Sequence, residues 1–128
     1  MIKHTVKAYS IIALLNRLAT DFWLPDDVKF IVTMIPSSRT GRDGSYTGRC
    51  SYWGIVDGER QFEIEVISTC GYAAAVEITL HEFRHAVQRV NGWIVDSDCW
   101  YTVDHERTPY HKRPHEIDAR EFATAFLN

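Results

Sequence analysis

The sequence has few cysteines and no long apolar run. There are three cysteines, Cys50, Cys70 and Cys99, and no two of them form a Cys-x-x-Cys pair. We therefore expect reduced thiols rather than a disulfide framework, with a bridge between Cys50 and Cys70 as the alternative. Apolar runs such as residues 11–15 are far shorter than the roughly 20 residues that span a bilayer, and no segment resembles a signal peptide. These absences predict a cytoplasmic protein with no membrane partner.

A basic excess is also missing. Lysine and arginine together number 14, against 17 aspartate and glutamate residues, and the formal net charge is −3. A protein whose main partner is nucleic acid usually has a clear positive excess, so we expect no such partner. The 128 residues are 45% hydrophobic and contain no repeat or linker. This composition predicts one domain over residues 1–128 with its own hydrophobic core.

Hydrophobic periodicity predicts the first elements of this domain. A helix is expected over residues 5–23, where apolar side chains share one face. A strand is expected over Val28–Ile35, and because both of its sides are apolar we predict that both faces are buried. Residues 36–49 are rich in turn formers and arginine. We interpret them as a solvated connection or, alternatively, as a loop over a cleft that contacts an acidic substrate.

A hairpin is predicted over residues 51–68, because Asp57-Gly58 is a strong turn signal between two β-rich segments. The expected pairing puts four large apolar residues on one face of the hairpin: Trp53, Ile55, Phe62 and Ile64. A polar connection then follows residue 92. The last helix is predicted to begin near Pro114 and to continue toward the C-terminus.

The strongest helical pattern covers residues 71–92. Apolar side chains at steps of three and four form one stripe, and Asn91-Gly92 supplies a stop signal. His81 and His85 are four residues apart and so lie on one face, a spacing at which two imidazoles hold one Zn²⁺. Glu82 stands beside them, where a carboxylate can accept a proton from metal-activated water. The sequence therefore predicts a zinc site on this helix.

The alternative interpretation of this motif needs no metal. His81 and His85 would then be ordinary polar residues on a half-exposed face, and Glu82 would pair with Arg84 or Arg89. The apolar neighbourhood of the motif favours the metal site, since a solvated helix would carry more polar residues there.

A catalytic zinc ion usually takes a third protein ligand and leaves one position to water. On the predicted last helix, Glu116 shares a face with Ala119, so its carboxylate points toward the core and requires a partner such as a metal. Glu116 is therefore the first candidate for the third ligand. Asp118 is the second candidate and His115 the third, the latter more simply explained as a neighbour of the ligands.

The segment His-Glu-Phe-Arg-His-Ala and the later segment Glu-Ile-Asp-Ala-Arg-Glu-Phe-Ala together resemble gluzincin-type zinc metallopeptidases. In particular, they resemble minimal phage and bacterial proteins related to the ImmA/IrrE group. The resemblance implies that His81, His85 and Glu116 are zinc ligands and that Glu82 is the catalytic base. For a phage-encoded protein, the expected location would be the host cytoplasm or the virion.

Two positions depart from the family pattern. Arg84 puts a charge inside the motif, where an uncharged residue is usual, and Arg120 stands where many gluzincins have an aspartate. The residue that orients the histidine ligands is therefore unassigned. Three aspartates are candidates for that role: Asp98, Asp104 and Asp118.

The elements together predict an α+β fold. It has an N-terminal helix, a small three-stranded antiparallel or mixed sheet, the helix with the His-Glu-x-x-His motif, and a C-terminal helix that carries the third ligand. The predicted function is that of a zinc metalloendopeptidase that hydrolyses a peptide or protein substrate, which a protein partner would deliver. Residues 61–67 are the candidate edge strand that holds the substrate, or else a plain strand. Four residues are candidates to stabilise the oxyanion: His105, Tyr110, His111 and Arg113.

Two alternative functions remain at this point. In the first, the chain is a catalytically silent structural or regulatory protein, for example a phage-associated one, in which zinc fastens the last helix to the core. In the second, the chain has a zinc fold of the SprT type, with a histidine as third ligand from among His105, His111 and His115. Replacement of Glu116 would separate the second alternative from the gluzincin interpretation.

Overall fold

The computed structural model describes residues 6–35, 48–68, 71–93, 99–100, 103–104 and 113–127. Within these ranges the chain forms three helices, a three-stranded mixed sheet and a two-stranded ribbon. In chain order the elements are α1 (Ala8–Asp21), β1 (Val28–Ile35), β2 (Gly48–Val56), β3 (Glu59–Ile67), α2 (Tyr72–Val90), β4 (Cys99–Trp100), β5 (Val103–Asp104) and α3 (Pro114–Leu127). The predicted α+β class is confirmed, and the sheet is mixed rather than purely antiparallel.

The sheet has the strand order β1-β3-β2. β2 pairs with β3 in antiparallel orientation, as the hairpin prediction requires, and β1 pairs with the other side of β3 in parallel. β3 is therefore the central strand, and the prediction that residues 61–67 form a substrate-binding edge strand is wrong. The reason is that β1, distant in sequence, occupies the side of β3 that a hairpin alone would leave free. In this sheet the edge strands are β1 and β2.

A bulge in β2 changes which residues of the hairpin face the core. Tyr52 pairs with Phe62 because the register shifts at Trp53, which is the extra residue. The prediction that Trp53 shares the face of Phe62 is therefore wrong, and Trp53 is 61% exposed. Ile55 still pairs with Arg60 and so keeps the predicted face, but it is 72% exposed. Cys50 and Tyr52 pack on that face instead. Cys50 is a free thiol, and its predicted alternative partner lies outside the described residues.

The core lies between the inner face of the sheet and the three helices. Phe62 and Ile64 of β3 are buried, and Phe83 of α2 packs against Phe30, Phe22 and Phe122 from three other segments. Burial of a side chain such as Phe83 stabilises the fold by about 1.5–3 kcal/mol. β1 is only partly covered, since Ile31 is 46% exposed. The prediction that both faces of this strand are buried is therefore wrong.

The end of α2 follows the sequence prediction. Gly92 has a φ of 75°, its N–H donates to the Arg89 carbonyl, and the Trp93 N–H donates to the Gln88 carbonyl. These two bonds form a Schellman motif, which glycine favours because it lacks a Cβ. α1 begins at Ala8, within the predicted range. None of the helices in the described ranges is long and apolar enough to cross a membrane.

Candidate metal centre

Two histidines project from one face of α2 toward a common point. The helix is held against the sheet by its opposite face, where Leu80 and Phe83 are fully buried. Because His81 and His85 are one turn apart, their rings are neighbours, with centroids 4.9 Å apart and planes at 81°. Their Nε2 atoms lie 3.2 Å from each other. The two Nε2 atoms therefore converge, as the spacing predicted.

Glu116 completes a triangle with these nitrogens. One carboxylate oxygen lies 3.0 Å from the His81 Nε2 atom, and the other lies 2.8 Å from the His85 Nε2 atom. The side chain is buried in the first turn of α3, and its helix can approach α2 closely because Ala119 and Ala123 are small and buried. The described residues thus bring together the three side chains that the sequence predicted as ligands.

The dimensions of this triangle fit a small metal ion. Bonds of 2.0–2.1 Å in a tetrahedral site separate neighbouring ligand atoms by about 3.3 Å. The two Nε2 atoms are 3.2 Å apart, close to that value, and each has a different Glu116 oxygen beside it, at 3.0 Å for His81 and 2.8 Å for His85. Two imidazole nitrogens and one carboxylate oxygen also form a donor set that zinc accepts. His81, His85 and Glu116 are therefore a group that could hold a metal ion.

The other two ligand candidates lie beside this triangle. Asp118 accepts hydrogen bonds from Arg84 Nε and from Gln88 Nε2, each at 2.8 Å, so its carboxylate serves to join α2 and α3. His115 lies against the His85 ring at a centroid distance of 5.4 Å, and its Nε2 atom is 3.4 Å from Glu116. Neither residue belongs to the group of converging donor atoms. Glu116 is thus the candidate that occupies the third position.

Glu82 lies between α2 and β2. Its exposed fraction is 9%, and it accepts a hydrogen bond from the backbone N–H of Cys50. Burial raises the pKa of the Glu82 carboxyl above its ordinary value, and the negative charge of Glu116 adds to this effect, while His85 and His81 oppose it. A carboxylate with a raised pKa is suited to accept and return a proton near neutral pH.

The interpretation of the motif without a metal paired Glu82 with an arginine. Arg84 instead forms an ion pair with Asp118, and its guanidinium also lies 5.1 Å from the centre of the Trp93 ring. Arg89 lies over the Tyr52 ring at 4.6 Å. Both arginines therefore have other partners, and that interpretation does not describe the site.

Gln88 contacts a candidate ligand, and the sequence prediction missed it. Its Oε1 atom lies 2.8 Å from the Nδ1 atom of His85, and its side chain is fully buried. Burial alone would lower the pKa of His85, but the hydrogen bond that its ring donates to Glu116 and the charges of Glu82 and Glu116 raise the pKa above the usual value. The available signal was a glutamine three residues after a ligand, where helical side chains meet.

Several predicted residues are not part of the described site. His105, Tyr110, His111 and Asp98 lie outside the described residues, and Asp104 is described only as backbone of β5. Arg113 is described, and its carbonyl accepts the backbone N–H of Glu116 at 3.0 Å at the start of α3. The oxyanion-stabilising group therefore stays a prediction.

Comparison of the chain with protein families, with curated proteins and with solved structures gave no match. A group of two histidines and one glutamate that could hold a metal is present, and a buried glutamate lies beside it.

Proposed function

We propose that the chain is a gluzincin-type zinc metalloendopeptidase that binds its metal through His81, His85 and Glu116. The observation that carries this proposal is the convergence of three side chains whose donor atoms all lie within 4.8 Å of one another. Structural zinc sites usually have four protein ligands, whereas catalytic sites have three and an open position. Among the described residues three donors converge, which favours the catalytic class.

Glu82 is the proposed general base. Zinc, when bound, would supply Lewis acidity toward a water molecule and a substrate carbonyl. Glu82 would accept the proton of that water and return it to the leaving amine, a role that its burial and raised pKa support. The N–H of Cys50 restrains the carboxylate through a hydrogen bond, so the base is held by the sheet as well as by its own helix.

β2 replaces β3 as the strand proposed to hold the substrate. It is an edge strand, and its first residues lie against α2 beside Glu82, because Gly48 adjoins both Ile78 and Glu82. A peptide in extended form can pair with such an edge through its backbone, which selects for an unfolded segment rather than for particular side chains. The proposed substrate is therefore an extended segment of a peptide or protein, which a partner protein would deliver.

A silent zinc protein is the second candidate function. It is favoured by the position of Glu116, since a metal there would link α3 to α2. The two candidates differ in one measurable property, which is turnover.

The test combines metal analysis with cleavage of a denatured protein. The wild-type chain should contain about one zinc per molecule and should cleave, and Glu82→Gln should keep zinc but lose cleavage by at least about 100-fold. Glu77→Gln is a matched control, because Glu77 lies on the exposed side of the same helix. Undiminished cleavage by Glu82→Gln would remove Glu82 from its role. Stoichiometric zinc without any cleavage would support the silent protein instead.

A further inference from the structure

A network of hydrogen-bonded side chains links α2 to α3 and returns to a proposed metal ligand on α2. Arg84 Nε donates to Asp118 Oδ2 at 2.8 Å, and Arg84 Nη2 lies 3.3 Å from Asp118 Oδ1. Gln88 Nε2 donates to the same Oδ2 atom at 2.8 Å and to the His115 carbonyl at 2.9 Å. Gln88 Oε1 then meets His85 Nδ1 at 2.8 Å. The network therefore ends at the ring of His85, which is proposed to bind the metal.

The donors and acceptors of this network determine the orientation of the Gln88 amide. Asp118 accepts hydrogen bonds from two guanidinium nitrogens of Arg84, and the His115 backbone carbonyl faces the same end of the Gln88 side chain. A carboxylate and a backbone carbonyl only accept hydrogen bonds, so the group that faces them must be the NH₂ of Gln88. Its carbonyl oxygen is therefore left to face His85.

The amide orientation in turn determines where His85 carries its proton. A carbonyl oxygen can only accept, so the His85 Nδ1 atom must donate to it. A neutral His85 ring consequently keeps its proton on Nδ1 and has its lone pair on Nε2, which is the atom that faces His81 and Glu116. Water does not compete for this bond because Gln88 is fully buried.

We propose that Gln88 is a positioning residue that fixes His85 in the tautomer with an Nε2 lone pair, and that the Arg84–Asp118 ion pair fixes Gln88. This inference rests on the metal binding of the proposed function but not on peptide cleavage. It gives a role to Arg84, the charged residue that departs from the usual pattern within the motif. An aspartate was expected to orient a histidine ligand, and in this proposal the neutral amide of Gln88 has that role instead.

The first test removes the acceptor of His85. Gln88→Met keeps a long unbranched side chain but offers no strong acceptor. It should weaken zinc affinity by about 10–100-fold, as loss of a hydrogen-bond partner of a ligand does in other zinc sites. Affinity is measured by competition with a chromophoric zinc chelator. In zinc-loaded wild-type protein, the ring proton on Nδ1 of His85 should also exchange slowly by NMR, and in the variant it should exchange fast.

The second test separates positioning from plain structure. Gln88→Glu keeps an oxygen toward His85 and, when its carboxyl is protonated, keeps a donor toward Asp118 and the His115 carbonyl, so it should bind zinc more tightly than Gln88→Met. Equal losses of zinc affinity in Gln88→Met and in Gln88→Glu would mean that Gln88 is merely structural, and this would overturn the proposal. Unchanged affinity and slow exchange in Gln88→Met would overturn it as well.

A third variant keeps the proposal testable if Gln88→Met does not fold. Asp118→Asn lies at a half-exposed position, keeps an oxygen for Gln88 and weakens the pairing with Arg84, so it should lower zinc affinity a few-fold. No change in affinity would refute the role of the ion pair. A wild-type chain that binds zinc without cleaving leaves this inference intact, whereas a chain that binds no zinc refutes the proposed function first.

Discussion

Gly48 provides a sharp test of how β2 and α2 fit together around Glu82. A Cβ atom added at this position would overlap the Cγ2 methyl of Ile78 and would lie 3.1 Å from the Glu65 carbonyl oxygen and 3.3 Å from the Cγ atom of Glu82. The first overlap is with a methyl bonded directly to the Cβ atom of a half-buried helix residue, and the second contact is with backbone, so neither neighbour can move freely. Gly48→Ala must therefore push β2 away from α2.

The expected cost follows from the physics of overpacking. An extra methyl in a well-packed place costs about 1–3 kcal/mol. For a chain of this size, each kcal/mol changes the melting temperature by about 3–4 °C, so Gly48→Ala should lower it by roughly 3–12 °C. The displaced carboxylate of Glu82 should also lower cleavage, by up to about 100-fold for a shift near 1 Å.

The assay is thermal unfolding of the metal-free and zinc-loaded chains, together with cleavage of a denatured protein. Adding Ile78→Leu, which moves the branch off Cβ and removes the Cγ2 methyl, should restore part of both losses. Gly54→Ala is the contrast, because its Cβ would meet nothing and only its φ of 87° opposes the change. Unchanged melting and cleavage in Gly48→Ala would refute the packing described between β2 and α2.

Three further predictions concern stability. Because burial raises the pKa of Glu82, the folded state holds that proton more tightly than the unfolded state, and stability falls as pH rises through the folded value. Glu82→Gln should thus raise the melting temperature of the metal-free chain at neutral pH, and an unchanged value would contradict the burial. The pKa of Asp118 is lowered, so its contribution is present above about pH 4 and is lost as pH falls through the folded value. Asp118→Asn should therefore reduce the loss of stability at acidic pH, measured as the free energy of unfolding in denaturant titrations at a series of pH values. Phe83→Ala should cost about 3–5 kcal/mol by denaturant unfolding, and a cost below about 1 kcal/mol would contradict its central place in the core.

The parts of the site that sequence reasoning recovered are those that depend on spacing within one helix. His81 and His85 converge because side chains four apart share a face, and Glu116 points inward because it shares a face with Ala119. The end of α2 was predictable because Asn91-Gly92 is a local signal. Each of these inferences needed only the residues of one segment.

The parts that were missed depend on contacts between distant segments. β1 pairs in parallel with β3, although β2 lies between these two strands in the sequence, and no local pattern indicates that pairing. The bulge at Trp53 displaces the pairing of the preceding residues of β2 by one place, so Tyr52 rather than Trp53 lies opposite Phe62. The role of Asp118 depends on the distance between α2 and α3, so its partner Arg84 was not evident from the sequence.

Glu116 is proposed to join His81 and His85 around one metal ion. The most direct test of this proposal is the zinc affinity and stoichiometry of the wild type and of Glu116→Ala, with Glu121→Ala on the exposed side of the same helix as the control. We predict about one zinc per wild-type chain and per control chain. Glu116→Ala should lower the zinc affinity by more than roughly 100-fold, which is the largest loss expected when only a hydrogen-bond partner of a ligand is removed. Equal zinc affinity in Glu116→Ala and wild type would contradict the account.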